Sequence, residues 1–145
     1  MSKRRRGLSA ADLAALRRHE VARLRGHDRF EALVDRALAG VPEPFASHLA
    51  TVAVVIEDEP SAAVRRAEGL RPDETLYGYY EGTPLTSWGA DEVPLPNKIT
   101  IYRLPLEEDF ADPAELEDEV RLTVIHEIAH HLGIDDDRLD ELGLD

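Results

Sequence analysis

The chain has 145 residues, no Cys and a formal net charge of −13. One domain of this length can bury a core without covalent staples. The lack of Cys excludes disulfides and thiolate metal sites, so any bound metal must use His and carboxylate. No apolar run approaches the 18 or so residues of a membrane span.

The charge is unevenly spread. Residues 1–30 carry a net +6, and the rest of the chain carries −19. An acidic body repels phosphates and argues against general nucleic-acid binding. Lys3, Arg4, Arg5 and Arg6 are followed by no apolar stretch, so the start does not read as a signal peptide, and the expected location is the cytoplasm. Residues 1–27 read as a basic tail and helix, attached to a domain over 28–145.

The spacing predicts a first helix over 10–25, opened by Ser9 and Asp12 and closed by Gly26. Its apolar stripe, Leu13, Leu16, Val21 and Leu24, is narrow. A second helix, over 29–39, has a broader face in Phe30, Leu33, Val34, Ala37 and Leu38, with Asp28 as cap and Gly40 as stop. Pro42 and Pro44 then punctuate the chain.

Three strands are expected. Residues 51–57 are β-branched and apolar at nearly every position, which suits a central strand. Residues 76–81 are aromatic with Gly78 inside, the pattern of an edge or bulged strand. Residues 98–103 alternate, so one face should be buried. A short helix is expected within 60–68, and an irregular loop carrying Trp88 over 82–97.

The last helix is the best marked. Asp112 is its N-cap, Pro113 its first residue and Glu115 the capping-box partner. Leu122, Ile125, Ala129 and Leu132 make an expected buried face, and Gly133 supplies a left-handed stop near residue 132. Within it, His126-Glu127-Ile128-Ala129-His130 spells the zinc-hydrolase signature H-E-x-x-H. Residues four apart share a helix face with Cβ atoms about 5–6 Å apart, so both imidazoles can reach one Zn²⁺ at about 2.0–2.1 Å. Gly133 turns the chain back, and Asp135, Asp136 or Asp137 can close a three-ligand site with one position left for water. Asp137 suits the N-cap of a short helix over 138–142, and Asp135 an outer position behind a ligand. His131 points away from the metal face, which suits a structural role.

The run His126-Glu127-x-x-His130-x-x-Gly133-x-x-Asp136 matches the elongated zincin pattern with Asp as third ligand, as in small snapalysin-like peptidases. The fuller stretch from His126 to Gly143 resembles a family of small bacterial zincin-like metallopeptidases, the minimal zincins. The likeness extends over about residues 28–145. It departs in two places: no Met follows the motif, so the Met-turn of metzincins is absent, and Asn97 stands where the family tends to carry an acidic residue.

This resemblance implies an α+β fold, with a small mixed sheet of three to four strands against the helix of His126, plus an N-terminal helix pair. It implies a zinc peptidase with His126, His130 and Asp136 as ligands. Glu127 would be the general base that takes a proton from water and delivers it to the departing amine. The expected partner is a peptide or protein, held by strand addition along residues 76–81. Tyr77, Tyr79, Tyr80 and Tyr102 are candidate oxyanion donors. Two other classes are weighed. One is a metal-dependent hydrolase of RNA, whose known zinc motif has His as third ligand and lacks the Glu. The other is a binding module in which the metal is structural.

Overall fold

The computed structural model describes residues 9–82 and 97–144, with Leu16 and 19–25 described by their backbone only. The basic run Lys3–Arg6 and the loop around Trp88 lie outside the described residues. The chain divides into two units, Met1–Ala32 and Leu33–Asp145. Among the described residues there are six helices and three strands, an α+β arrangement as expected.

Helix α1 runs without a break over Ala10–Ala39. The sequence suggested two helices with a stop at Gly26. One glycine costs a helix only about 1 kcal/mol, too little to end it without a following proline or cap. Ser9 caps the start, its hydroxyl accepting from the Asp12 N–H at 3.1 Å while its own N–H donates to the Asp12 carboxylate at 3.1 Å. Leu13, counted in the first stripe, is 45% exposed, whereas Phe30, Leu33, Val34 and Ala37 are buried.

The second unit is built on a three-stranded mixed sheet, β1 (Ala53–Glu57), β2 (Gly78–Glu81) and β3 (Lys98–Tyr102), in the order β1-β3-β2. Strand β3 pairs parallel with β1 and antiparallel with β2. This corrects two expectations. The β-branched strand 53–57 is an edge, with both ends exposed, and the alternating strand 98–102 is central, with Ile99 to Tyr102 all buried. Thr100, the polar position in that alternation, is 3% exposed. Polarity marked it as solvent-facing, but a central strand has cover on both faces.

Four shorter helices frame the sheet: α2 (Phe45–Leu49), α3 (Ala62–Ala67), α4 (Arg103–Asp109) and α6 (Asp136–Glu141). Helix α3 is the short helix expected there, capped by Ser61. Helix α4 follows β3 directly, held by Arg103. That guanidinium reaches the Asp58 carboxylate at 3.0 Å through both Nε and Nη2, tying the end of β1 to the start of α4.

Helix α5, Pro113–His131, crosses the sheet. Asp112 caps it as expected, accepting from the Glu115 N–H at 3.1 Å. Its core face is Leu116, Val120, Val124, Ile125, Ile128 and Ala129. Leu122 and Leu132, expected in that face, are only half-buried. Helix α5 packs tightly on β2 at Gly78, where an added Cβ would stand 2.8 Å from the Thr123 methyl. The glycine in the strand is therefore a requirement of helix–sheet approach.

Candidate metal centre

The C-terminal turn of α5 decides the site. Gly133 has φ +78°, and the Ile134 N–H donates to the Ala129 carbonyl (2.8 Å) while the Gly133 N–H donates to that of His130 (3.1 Å). These two bonds form a Schellman cap, which reverses the chain immediately after the second histidine. Asp135 then caps α6, accepting from the Arg138 N–H at 2.9 Å. The sequence reading gave that cap to Asp137. With Asp135 as cap, Asp136 becomes the first residue of α6, and its carboxylate turns back to the histidines.

His126, His130 and Asp136 each offer a ligand atom, all within 4.8 Å of one another. Asp136 Oδ1 lies 3.0 Å from His130 Nε2 and 3.7 Å from His126 Nδ1. Two donors each about 2.0–2.1 Å from a tetrahedral ion stand about 3.3–3.4 Å apart, and the observed pair straddles that spacing. Two imidazoles and a carboxylate also match the donor chemistry of Zn²⁺, so the residues fit the ion. The His130 hydrogen bond holds the Asp136 carboxyl below the usual carboxylate range. His27, Asp28 and Glu31 are also mutually close, but they occupy one turn of a single helix.

Glu127 lies beside this cluster. Burial raises its carboxyl above the usual range, with Glu68 adding to the effect, while His130 and the Tyr80 backbone N–H act in the opposite direction. That N–H is available for a topological reason. The Tyr102 N–H donates to the Tyr77 carbonyl at 2.9 Å, and Tyr79 pairs with Thr100. Antiparallel ladders alternate, so Gly78 and Tyr80 turn their backbone groups toward the open edge, where Glu127 lies.

The four tyrosines have different partners, and the charge of Glu127 reaches both Tyr79 and Tyr102. The Tyr77 hydroxyl donates to Asp109 and its ring packs edge-on against Phe110 at 5.8 Å; Tyr79 faces Glu68. Tyr80 stacks on His131 with ring centroids 4.3 Å apart, its hydroxyl 3.5 Å from His48 Nε2. Tyr102 is 1% exposed. His131 thus faces Tyr80 and His48, away from the three-donor cluster. Asn97 lies against Gly82, its Oδ1 buried and without a hydrogen-bond partner among the described residues.

A groove of about 440 Å³ runs along α5 from the centre, lined by Leu76, Tyr77, Gly78, Glu119, Leu122, Thr123, His126 and Glu127. The sequence reading missed Glu119, Leu122 and Thr123 as site residues. The signal was present: with His126, Glu127 and His130 they fall at i, i+3, i+4, i+7, i+8 and i+11, one stripe of a helix.

No curated protein matches the chain. A family model described as zincin-like metallopeptidase matches residues 49–144. That span runs from the end of α2 through the sheet and α5 to α6, so it holds the three convergent donors and Glu127 together. The chain belongs to the zincin-like metallopeptidase family.

Proposed function

We propose that the chain is a zinc-dependent peptidase in which His126, His130 and Asp136 hold the ion and Glu127 is the general base. The observation that carries this reading is the return of Asp136 onto both imidazoles, with a half-buried carboxylate one residue from His126. Zn²⁺ held there supplies Lewis acidity, which activates water near neutral pH and polarises a carbonyl.

The protein's own groups do the rest. Burial keeps the Glu127 carboxylate a better base than one in water, so it takes the proton from the attacking water and gives it to the leaving amine. The Tyr80 N–H fixes that carboxylate in place. The outward-turned backbone of Gly78 and the Tyr80 carbonyl give an extended peptide an edge to pair with. The three-ligand set with Asp, rather than three histidines, favours this over an RNA hydrolase.

The test is metal analysis of purified chain with a peptide-library digest. Zinc bound by the wild type and lost in Asp136→Ala, together with peptide cleavage abolished by Glu127→Gln, supports the reading. Zinc retained in Asp136→Ala at wild-type affinity removes the third ligand.

A further inference from the structure

On α5 three consecutive acidic residues meet different fates. Glu117 pairs with Arg36 at 2.9 Å and Arg121 at 3.6 Å, and Asp118 pairs with Arg121 at 2.9 Å. Glu119 is half-buried and lines the groove beside His126 and Glu127. Among the described residues, no Lys, Arg or His nitrogen lies within 4.0 Å of its carboxylate. Its charge reaches Tyr77, whose ionisation it opposes.

A half-buried carboxylate flanked by apolar side chains offers a ligand cation a charge-assisted contact. The walls here are Leu76, Leu122 and the Tyr77 ring, the last fixed by its hydrogen bond to Asp109. A groove that sets the Glu119 carboxylate beside Leu76, Leu122 and Tyr77 suits a side chain with an apolar stem and a cationic head. We infer that Glu119 is a specificity-determining residue, and that this groove takes a lysine or arginine side chain of the bound peptide. The inference rests on the peptidase reading.

The register supports it. Glu119 and His126 are seven residues apart on one face, about 10 Å along the helix at 1.5 Å per residue. An extended peptide advances about 3.3 Å per residue. A lysine stem spans the remainder, so the cationic residue falls within about two positions of the scissile bond.

The test uses the full-length, zinc-loaded chain and peptides that differ only at positions near the scissile bond, carrying Lys, Arg, norleucine or Glu. Norleucine keeps the stem and removes the charge. Binding is read by fluorescence anisotropy on the Glu127→Gln variant, so that it does not depend on turnover, and cleavage is read on the wild type. Lysine and arginine peptides should bind about tenfold tighter than norleucine, the value of a charge-assisted contact. Adding Glu119→Gln should bring that ratio close to one, Glu119→Lys should favour the Glu peptide, and Glu119→Asp should keep part of the preference. Circular dichroism and zinc content check that each variant folds.

An unchanged lysine preference in Glu119→Gln overturns the proposal, as does the absence of any preference for lysine over norleucine. A preference that disappears when the peptide amino terminus is acetylated also overturns it, since the groove would then hold a free amine. Glu119-dependent binding with no cleavage of any peptide would instead sustain this site and refute the peptidase reading.

Discussion

His130 Nε2 and Asp136 Oδ1 stand 3.0 Å apart across a chain reversal of six residues. Their approach depends on the αL conformation of Gly133 and on the cap that Asp135 gives α6. The two aspartates therefore have separable roles. Asp136→Ala should lose zinc while keeping its helical content. Asp135→Ala should cost about 1 kcal/mol through the lost cap and weaken zinc only through looser placement of Asp136. Because the ion stabilises only the folded arrangement, added zinc should raise the Tm of the wild type, and raise it much less in Asp136→Ala. Calorimetry with and without a chelator checks both.

Glu127→Gln keeps the shape of the side chain but cannot accept a proton. Peptide hydrolysis should fall by about 10²–10⁴-fold, with zinc content unchanged. Equal activity of the variant and the wild type would show that the carboxylate is not the base.

At Gly78, β2 lies close against α5. An added Cβ would stand 2.8 Å from the Thr123 methyl and 3.3 Å from the Thr100 carbonyl. Gly78→Ala should destabilise the fold by about 1–3 kcal/mol. Removing the methyl in Gly78→Ala/Thr123→Ser should recover part of that loss, whereas Thr123→Ser alone should have a small effect. Denaturant melts of the three variants give the coupling.

Burial and the Asp109 hydrogen bond push Tyr77 up to about 12, and burial does the same to Tyr102. In the unfolded chain both ionise near 10. A group with a raised folded pKa stabilises the fold fully below the unfolded value and loses that contribution as pH climbs through the folded one. Stability should therefore fall between pH 10 and about 12, and Tyr77→Phe should flatten part of the fall. Tyrosinate absorbance should show all four phenols titrating above the free value, with Tyr77 and Tyr102 the latest.

Deleting residues 1–27 removes no buried side chain of the 30–37 face: Phe30, Leu33, Val34 and Ala37 all remain. Zinc content should be unchanged and the Tm should move by only a few degrees. A large loss of stability would place Leu16, Val21 or Leu24 in a core.

The sequence by itself determined the local features of the site. Asp112, Pro113, the H-E-x-x-H spacing and Gly133 specify a capped helix with two histidines on one face, and the family resemblance carried the α+β class. These are short-range matters, fixed by backbone propensity and the 3.6-residue repeat. What needed the tertiary structure was each question of which face lies against what. The most apolar strand, 53–57, became an edge, and the alternating strand 98–102 became central, because sheet order depends on long-range pairing that no local pattern records. Leu122 looked like core and became a groove wall, because hydrophobicity reports that a side chain prefers cover without saying whether protein or ligand supplies it. Among three adjacent aspartates, spacing alone left the choice open. In the tertiary structure Asp135 caps α6, and the Asp136 carboxylate lies against the two imidazoles.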